Sequence, residues 1–169
     1  MITIRKERPE DTAAIRLINE MAFDGAQEAD LVDQLRARNK LLLSLVAEDK
    51  GELVGHIAFS RMTLGEQRLS CTGAGLGPMA VLPARQRQGV GSLLVRYGLD
   101  ECRGLGIEWM VIVGHPSYYP RFGFESASRF GIRCAYEVSD EAFMAVELSA
   151  GALRGAAGLV CYEPEFDGT

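Results

Sequence analysis

The chain has 169 residues, 47% of them hydrophobic and 24% charged, enough to build one proper core and unlike the composition of a disordered polymer. A formal net charge of −5 argues against broad nucleic-acid binding, which needs a basic face to neutralise phosphates, and no apolar run approaches the roughly 18 residues of a bilayer span. Four scattered cysteines without a C-x-x-C pair and two histidines without ligand spacing point to reduced thiols and no metal site. The early charges Arg5 and Lys6 leave no room for a secretory apolar segment, so a cytoplasmic location is the expectation.

Residues 2–6 alternate apolar and polar, as a half-buried strand does. Pro9, Glu10 and Asp11 then open a helix with Ile15, Ile18, Met21 and Ala22 on one stripe, proline and acidic residues both suiting a first turn. A second helix is expected over 27–38, with Leu31, Val32 and Leu35 inward. Apolar runs 41–48 and 53–62, joined by Asp49-Lys50-Gly51-Glu52, read as a hairpin. A further strand is expected over 68–72. Another follows over 76–82, where Gly77-Pro78 forces a bulge or a splay because proline cannot donate to a ladder.

Residues 89–105 read as a helix burying Leu93, Leu94, Tyr97, Leu99 and Cys102, and ended by Gly104 and Gly106. A short, fully apolar strand follows over 108–113, then one helical turn over 117–122 stopped by Gly123. Beyond it lie only short apolar segments, such as Phe143-Met144-Ala145-Val146 and Gly158-Leu159-Val160. Strand, helices, antiparallel strands, then strand–helix–strand imply an α/β (α+β mixed) domain, a mixed sheet with helices on its faces.

The stretch that carries chemistry runs from Gly77 through Pro83-Ala84-Arg85-Gln86-Arg87-Gln88-Gly89-Val90-Gly91-Ser92. A strand passes through a basic loop directly into a helix start, where four N–H groups lack partners and the dipole is positive. Glycines there admit a ligand close to the backbone, so the site suits a pyrophosphate. A Walker loop would need G-K-[ST], which is absent. A Rossmann fingerprint would need a small residue where Leu94 stands.

The remaining pattern, Q/R-x-x-G-x-G/A, is met by Gln86-Arg87-Gln88-Gly89-Val90-Gly91 and resembles the coenzyme A loop of the GNAT acetyltransferase superfamily. Tyr119-Pro120-Arg121-Phe122-Gly123-Phe124 is similar to the Y-x-x-x-G-F signature that closes the GNAT core. Gly114-His115-Pro116-Ser117-Tyr118-Tyr119 adds the look of the YhbS-like branch. The resemblance implies a single domain over 1–169, with a cofactor-binding core at about 74–124 and a family-specific extension at about 131–169. Its sheet would be central, mixed and mostly antiparallel, with a splayed strand pair receiving the pantetheine arm.

Acetyl-CoA is the implied cosubstrate, and direct transfer to a primary amine of a small molecule or protein the implied reaction. Arg87, Gln88, Gly89, Val90, Gly91 and Ser92 would meet the pyrophosphate through their N–H groups. Arg85 and Arg87 would pair with phosphates or stay solvated. Met79, Ala80 and Val81 would line the pantetheine, with main-chain bonds from Met79 and Val81 and the Met79 N–H polarising the thioester carbonyl. Tyr119 aligns with the tyrosine that protonates the departing thiolate, with Tyr118 the alternative. Glu28 is the first candidate for the general base, ahead of His56 and His115. An acyl-CoA-binding module without transfer remains the rival reading, a nucleotide-binding enzyme a more distant one. Dimers are common in this family, and the sequence leaves the oligomeric state open.

Overall fold

The computed structural model describes residues 1–65 and 72–167. Its elements are β1 (Ile2–Lys6), α1 (Thr12–Phe23), α2 (Gln27–Ala37), β2 (Leu41–Asp49), β3 (Glu52–Leu64), β4 (Gly73–Val81), α3 (Val90–Gly104), β5 (Trp109–Val113), β6 (Glu125–Ser126), β7 (Ile132–Cys134), β8 (Phe143–Glu147) and β9 (Gly158–Cys161). The main sheet runs β1-β2-β3-β4-β5-β8-β6, while β9 pairs with β7 and with the end of β3. Every main-sheet pairing is antiparallel except β4 with β5. This is the mixed, mostly antiparallel sheet flanked by helices that the sequence implies.

Side-chain alternation along the strands divides the packing into two faces. Leu43, Leu45, Ile57 and Phe59 join Leu94, Val95 and Leu99 of α3 in one core. Val46, on the other face, packs with Ile15 of α1 and Val32 of α2. Further along, Met62, Trp109, Val111 and Ala145 form a second core with Ile132 and Val160 of β7 and β9. The C-terminal stretch thus roofs the sheet beyond α1 and α2. Glu165, its carboxylate ion-paired to Lys40 Nζ at 2.8 Å and Arg38 NH1 at 2.6 Å, ties that roof to the residues following α2.

Several details differ from expectation. Residues Pro9–Asp11 form a 3-10 turn, and α1 begins only at Thr12. Met21, Leu93 and Tyr97 are 49%, 37% and 50% exposed. Asn19 takes the inward place on α1, while Val90, Val95 and Gly98 take it on α3. Gly98 explains the rotation of α3: a Cβ there would lie 2.2 Å from Phe59 Cζ, so the missing side chain lets α3 seat directly on β3. The strand expected over 68–72 falls outside the described residues except for Thr72, which is in no strand.

Candidate functional site: a splay between β4 and β5 at the start of α3

The bulge anticipated at Gly77-Pro78 is present. Ile57 faces Met79 and Phe59 faces Leu76, so β4 spends one residue more than β3 over this interval. Parallel pairing with β5 holds only from Gly73/Trp109 to Gly75/Val111. At its foot the pair is locked by close packing, since a Cβ on Gly73 would fall 2.1 Å from Trp109 Cζ2. Beyond Gly75 the two strands part.

Main-chain alternation then fixes what faces the opening. The Leu82 N–H donates to Val54 O at 3.0 Å, and with His56 opposite Ala80 the ladder groups of Ala80 and Leu82 point to β3. Those of Met79 and Val81 therefore point away from β3, toward the splay. Ala80, by contrast, commits its main chain to β3. Gln86 Nε2 donates to Val81 O at 3.0 Å, leaving the second carbonyl lone pair available.

The loop after β4 turns through a 3-10 segment, Pro83–Arg85, and delivers the chain to α3. Arg87 and Gly89 both adopt left-handed φ values, 63° and 84°, and so turn successive N–H groups into one concave surface. The first helical bond runs from Leu93 N to Gly89 O, which leaves the N–H groups of Val90, Gly91 and Ser92 without intrahelical acceptors. Arg85 is half-buried. It pairs with Asp49 at 2.7 Å and bonds Gln88 Oε1 at 3.2 Å, while Gln88 Nε2 reaches Ala84 O at 3.3 Å. These bonds fasten the loop to the end of β2.

A groove of about 400 Å³ lies over this helix start, bordered by Val81, Arg87, Gly91 and Ser92 on one side and by Tyr118 and Arg121 on the other. Tyr118 Oη bonds Ser92 Oγ at 3.0 Å. Arg121 lies over the Tyr118 ring, 4.4 Å from its centroid, and donates to Tyr118 O at 2.9 Å. Tyr119 sits deeper, only 8% exposed. Its ring packs edge-on against Tyr118 and Phe124 and so close to Gly114 that a Cβ there would fall 2.5 Å from Cε2. Burial, aided by Tyr118, pushes the Tyr119 phenol well above its ordinary pKa, so it holds its proton at neutral pH. Tyr118 and Arg121 were not assigned from sequence to the groove wall; only a spacing rule for the turn after β5 could have found them.

The candidate bases lie apart from this groove. Glu28 stands half-buried in the first turn of α2 and does not border it. His115 is exposed, and its carbonyl closes the turn to Tyr118 N at 3.1 Å. His56 is fully buried on the α1 face. Asn19 Nδ2 meets its Nδ1 at 3.2 Å and Ser44 Oγ meets its Nε2 at 2.9 Å. Ser44 donates in turn to Glu7, which Arg36 holds at 2.7 Å. Burial lowers the His56 pKa to about 4, leaving it neutral and structural. Burial also pushes the Cys102 thiol up to about 12, which makes it a poor nucleophile. Among the described residues no cluster of His, Cys, Asp or Glu could hold a metal ion, and no helix is long and apolar enough to cross a membrane.

A bulged strand, a diverging neighbour and a glycine-bearing loop opening a helix define an acyl-CoA-type transferase fold. Residues 41–126 match the acetyltransferase (GNAT) domain, and the chain belongs to that family. It is 36% identical to the uncharacterized N-acetyltransferase YhbS of Escherichia coli over 165 residues, 97% of this chain and 98% of that protein. The crystal structure of Escherichia coli YhbS in complex with CoA superposes with a TM-score of 0.92, at 36% identity over 98% of this chain and 91% of that one. A GNAT family acetyltransferase from Brucella melitensis in complex with acetyl-CoA gives 0.81, at 38% identity over 99% of both chains.

Proposed function

We propose that this chain, acting as one unit over its whole length, binds acetyl-CoA in the splay and passes the acetyl group directly to a primary amine. The observation that carries this reading is the outward set of Met79 and Val81 main-chain groups at the point where β5 leaves β4. An extended amide-bearing arm such as pantetheine can pair there as an added strand. Its pyrophosphate then falls at the start of α3, on the N–H groups of Arg87 to Ser92. Two relatives of closely similar structure were crystallised with CoA and with acetyl-CoA.

In this scheme the amine nitrogen attacks the thioester carbon while the Met79 N–H steadies the developing oxyanion. Collapse of the tetrahedral intermediate breaks the C–S bond, and Tyr119 gives its proton to the departing sulfur. Depth supports Tyr119 over Tyr118 for this step. Gly75 pairs with Val111, and counting on along each strand puts Gly114, where the Tyr119 ring rests, level with Pro78. That is the far end of the arm from the pyrophosphate. Tyr118 instead meets Ser92 at the pyrophosphate end. Glu28, on α2, which packs against α1 as α1 packs against β4, is the carboxylate assigned to the amine proton.

The test is Tyr119→Phe, which keeps the ring and removes the proton. Release of CoA thiol in the presence of an accepted amine should fall roughly 100-fold or more, with CoA affinity unchanged. An equal loss of affinity would make Tyr119 a packing residue and refute its role.

A further inference from the structure

The outer flank of α3 carries a second depression, about 310 Å³, in which Arg96, Arg103 and Phe122 meet Arg121. Arg121 borders the pyrophosphate groove as well, so the two share a wall. Arg103 is occupied: its guanidinium pairs with Asp100 at 3.0 Å. Arg96 and Arg121 make no salt bridge among the described residues, although acidic side chains outnumber basic ones, 23 to 18. Both are instead stacked on aromatic rings, Arg96 on Phe122 at 5.2 Å and Arg121 on Tyr118 at 4.4 Å. Stacking fixes a guanidinium while leaving edge N–H groups to meet a phosphate; Arg121 spends its Nε–H on Tyr118 O and offers its terminal nitrogens.

Position narrows the identity of that anion. Arg96 lies one turn beyond Ser92 on α3, about 6 Å along the axis, and Ser92 lies in the pyrophosphate groove. One ribose separates the 5′-pyrophosphate of coenzyme A from its 3′-phosphate. We propose that Arg96 and Arg121 seat the 3′-phosphate, and that this chain thereby selects CoA over dephospho-CoA. The inference rests on the groove being a CoA site, and it adds a specificity determinant at the open end of the ligand, remote from the reacting acetyl group.

Calorimetric titration of CoA and dephospho-CoA into the wild-type chain and into Arg96→Gln/Arg121→Gln tests it. The wild type should bind CoA roughly ten- to hundred-fold more tightly, the scale of one or two charge-assisted hydrogen bonds. The double variant should lose that preference, its CoA affinity falling to the level of its own dephospho-CoA affinity. The wild-type preference should also shrink as salt is raised. Unliganded melting temperatures of the two proteins, both arginines being exposed, confirm that the fold is retained. Equal wild-type affinities, or an equal loss for both ligands in the variant, overturn the assignment while leaving the CoA groove intact. Failure of the wild type to bind either ligand overturns the groove itself, and this inference with it.

Discussion

Replacing His56 with Gln should flatten the dependence of stability on pH. The imidazole is fully buried between Asn19 and Ser44, and the charged groups facing it are Glu7 and Arg36. Burial outweighs the favourable field of Glu7, and Arg36 adds to the depression, bringing its pKa from 6.5 down to about 4. In the window between those values the unfolded chain binds a proton that the folded chain refuses. Stability is therefore fully present above pH 6.5 and declines as pH falls toward 4.

The whole shift corresponds to about 3 kcal/mol, of which about 2 kcal/mol is lost by pH 5. For a domain of this size that is roughly 4–8 °C in melting temperature. The variant should melt lower than wild type at pH 7.5, because the bond to Asn19 is lost, at a cost of roughly 1–3 kcal/mol. The gap should close as pH drops to 5. Thermal melts of both proteins across this range decide the matter. Parallel curves for wild type and variant would show that His56 does not control the acid limb and would refute the reasoning.

Two further substitutions probe the groove and its support. Gly91→Val introduces a Cβ 3.3 Å from both Met79 Cε and Tyr118 Oη, with two methyl groups beyond it, inside the groove. The stabilisation given by CoA at a hundred times its dissociation constant, about 2.7 kcal/mol or roughly 5–10 °C, should vanish while the unliganded midpoint moves little. A retained ligand shift would place the pyrophosphate elsewhere. Gly98→Ala puts its methyl 2.2 Å from Phe59 Cζ. It should lower the melting temperature by the equivalent of roughly 1–3 kcal/mol despite the better helix propensity of alanine. A midpoint at or above wild type would mean that α3 and β3 are less tightly seated than described.

The loop that opens α3 was legible because its parts are contiguous: Gln86 to Gly91 lie in one local motif, and Gly77-Pro78 announces the bulge by backbone chemistry alone. The inward face of α3 was not, because glycine carries no hydrophobic signal and Gly98 sets the rotation that exposes Leu93 and Tyr97. Arg85, read as a phosphate ligand or a solvated charge, borders the groove but is also paired with Asp49, a partner 36 positions away. The chain Glu7–Ser44–His56–Asn19 draws on β2, β3, α1 and the residue after β1, and no local pattern joins them. Placement of β8 between β5 and β6 is equally non-local, as is the docking of Glu165 on Arg38 and Lys40. Tyr118 and Tyr119 are sequence neighbours of identical chemistry, and only the turn that holds them shows which is in the groove and which lies beneath it.

The most direct measurement incubates the chain with acetyl-CoA and a panel of primary amines, small molecules and peptide amino termini together, following thiol release and product mass. Release of CoA above background is expected with at least one amine, matched by an acceptor heavier by one acetyl group. Binding of acetyl-CoA with no amine acetylated across the panel would contradict it and make the chain an acyl-CoA-binding protein on the same fold.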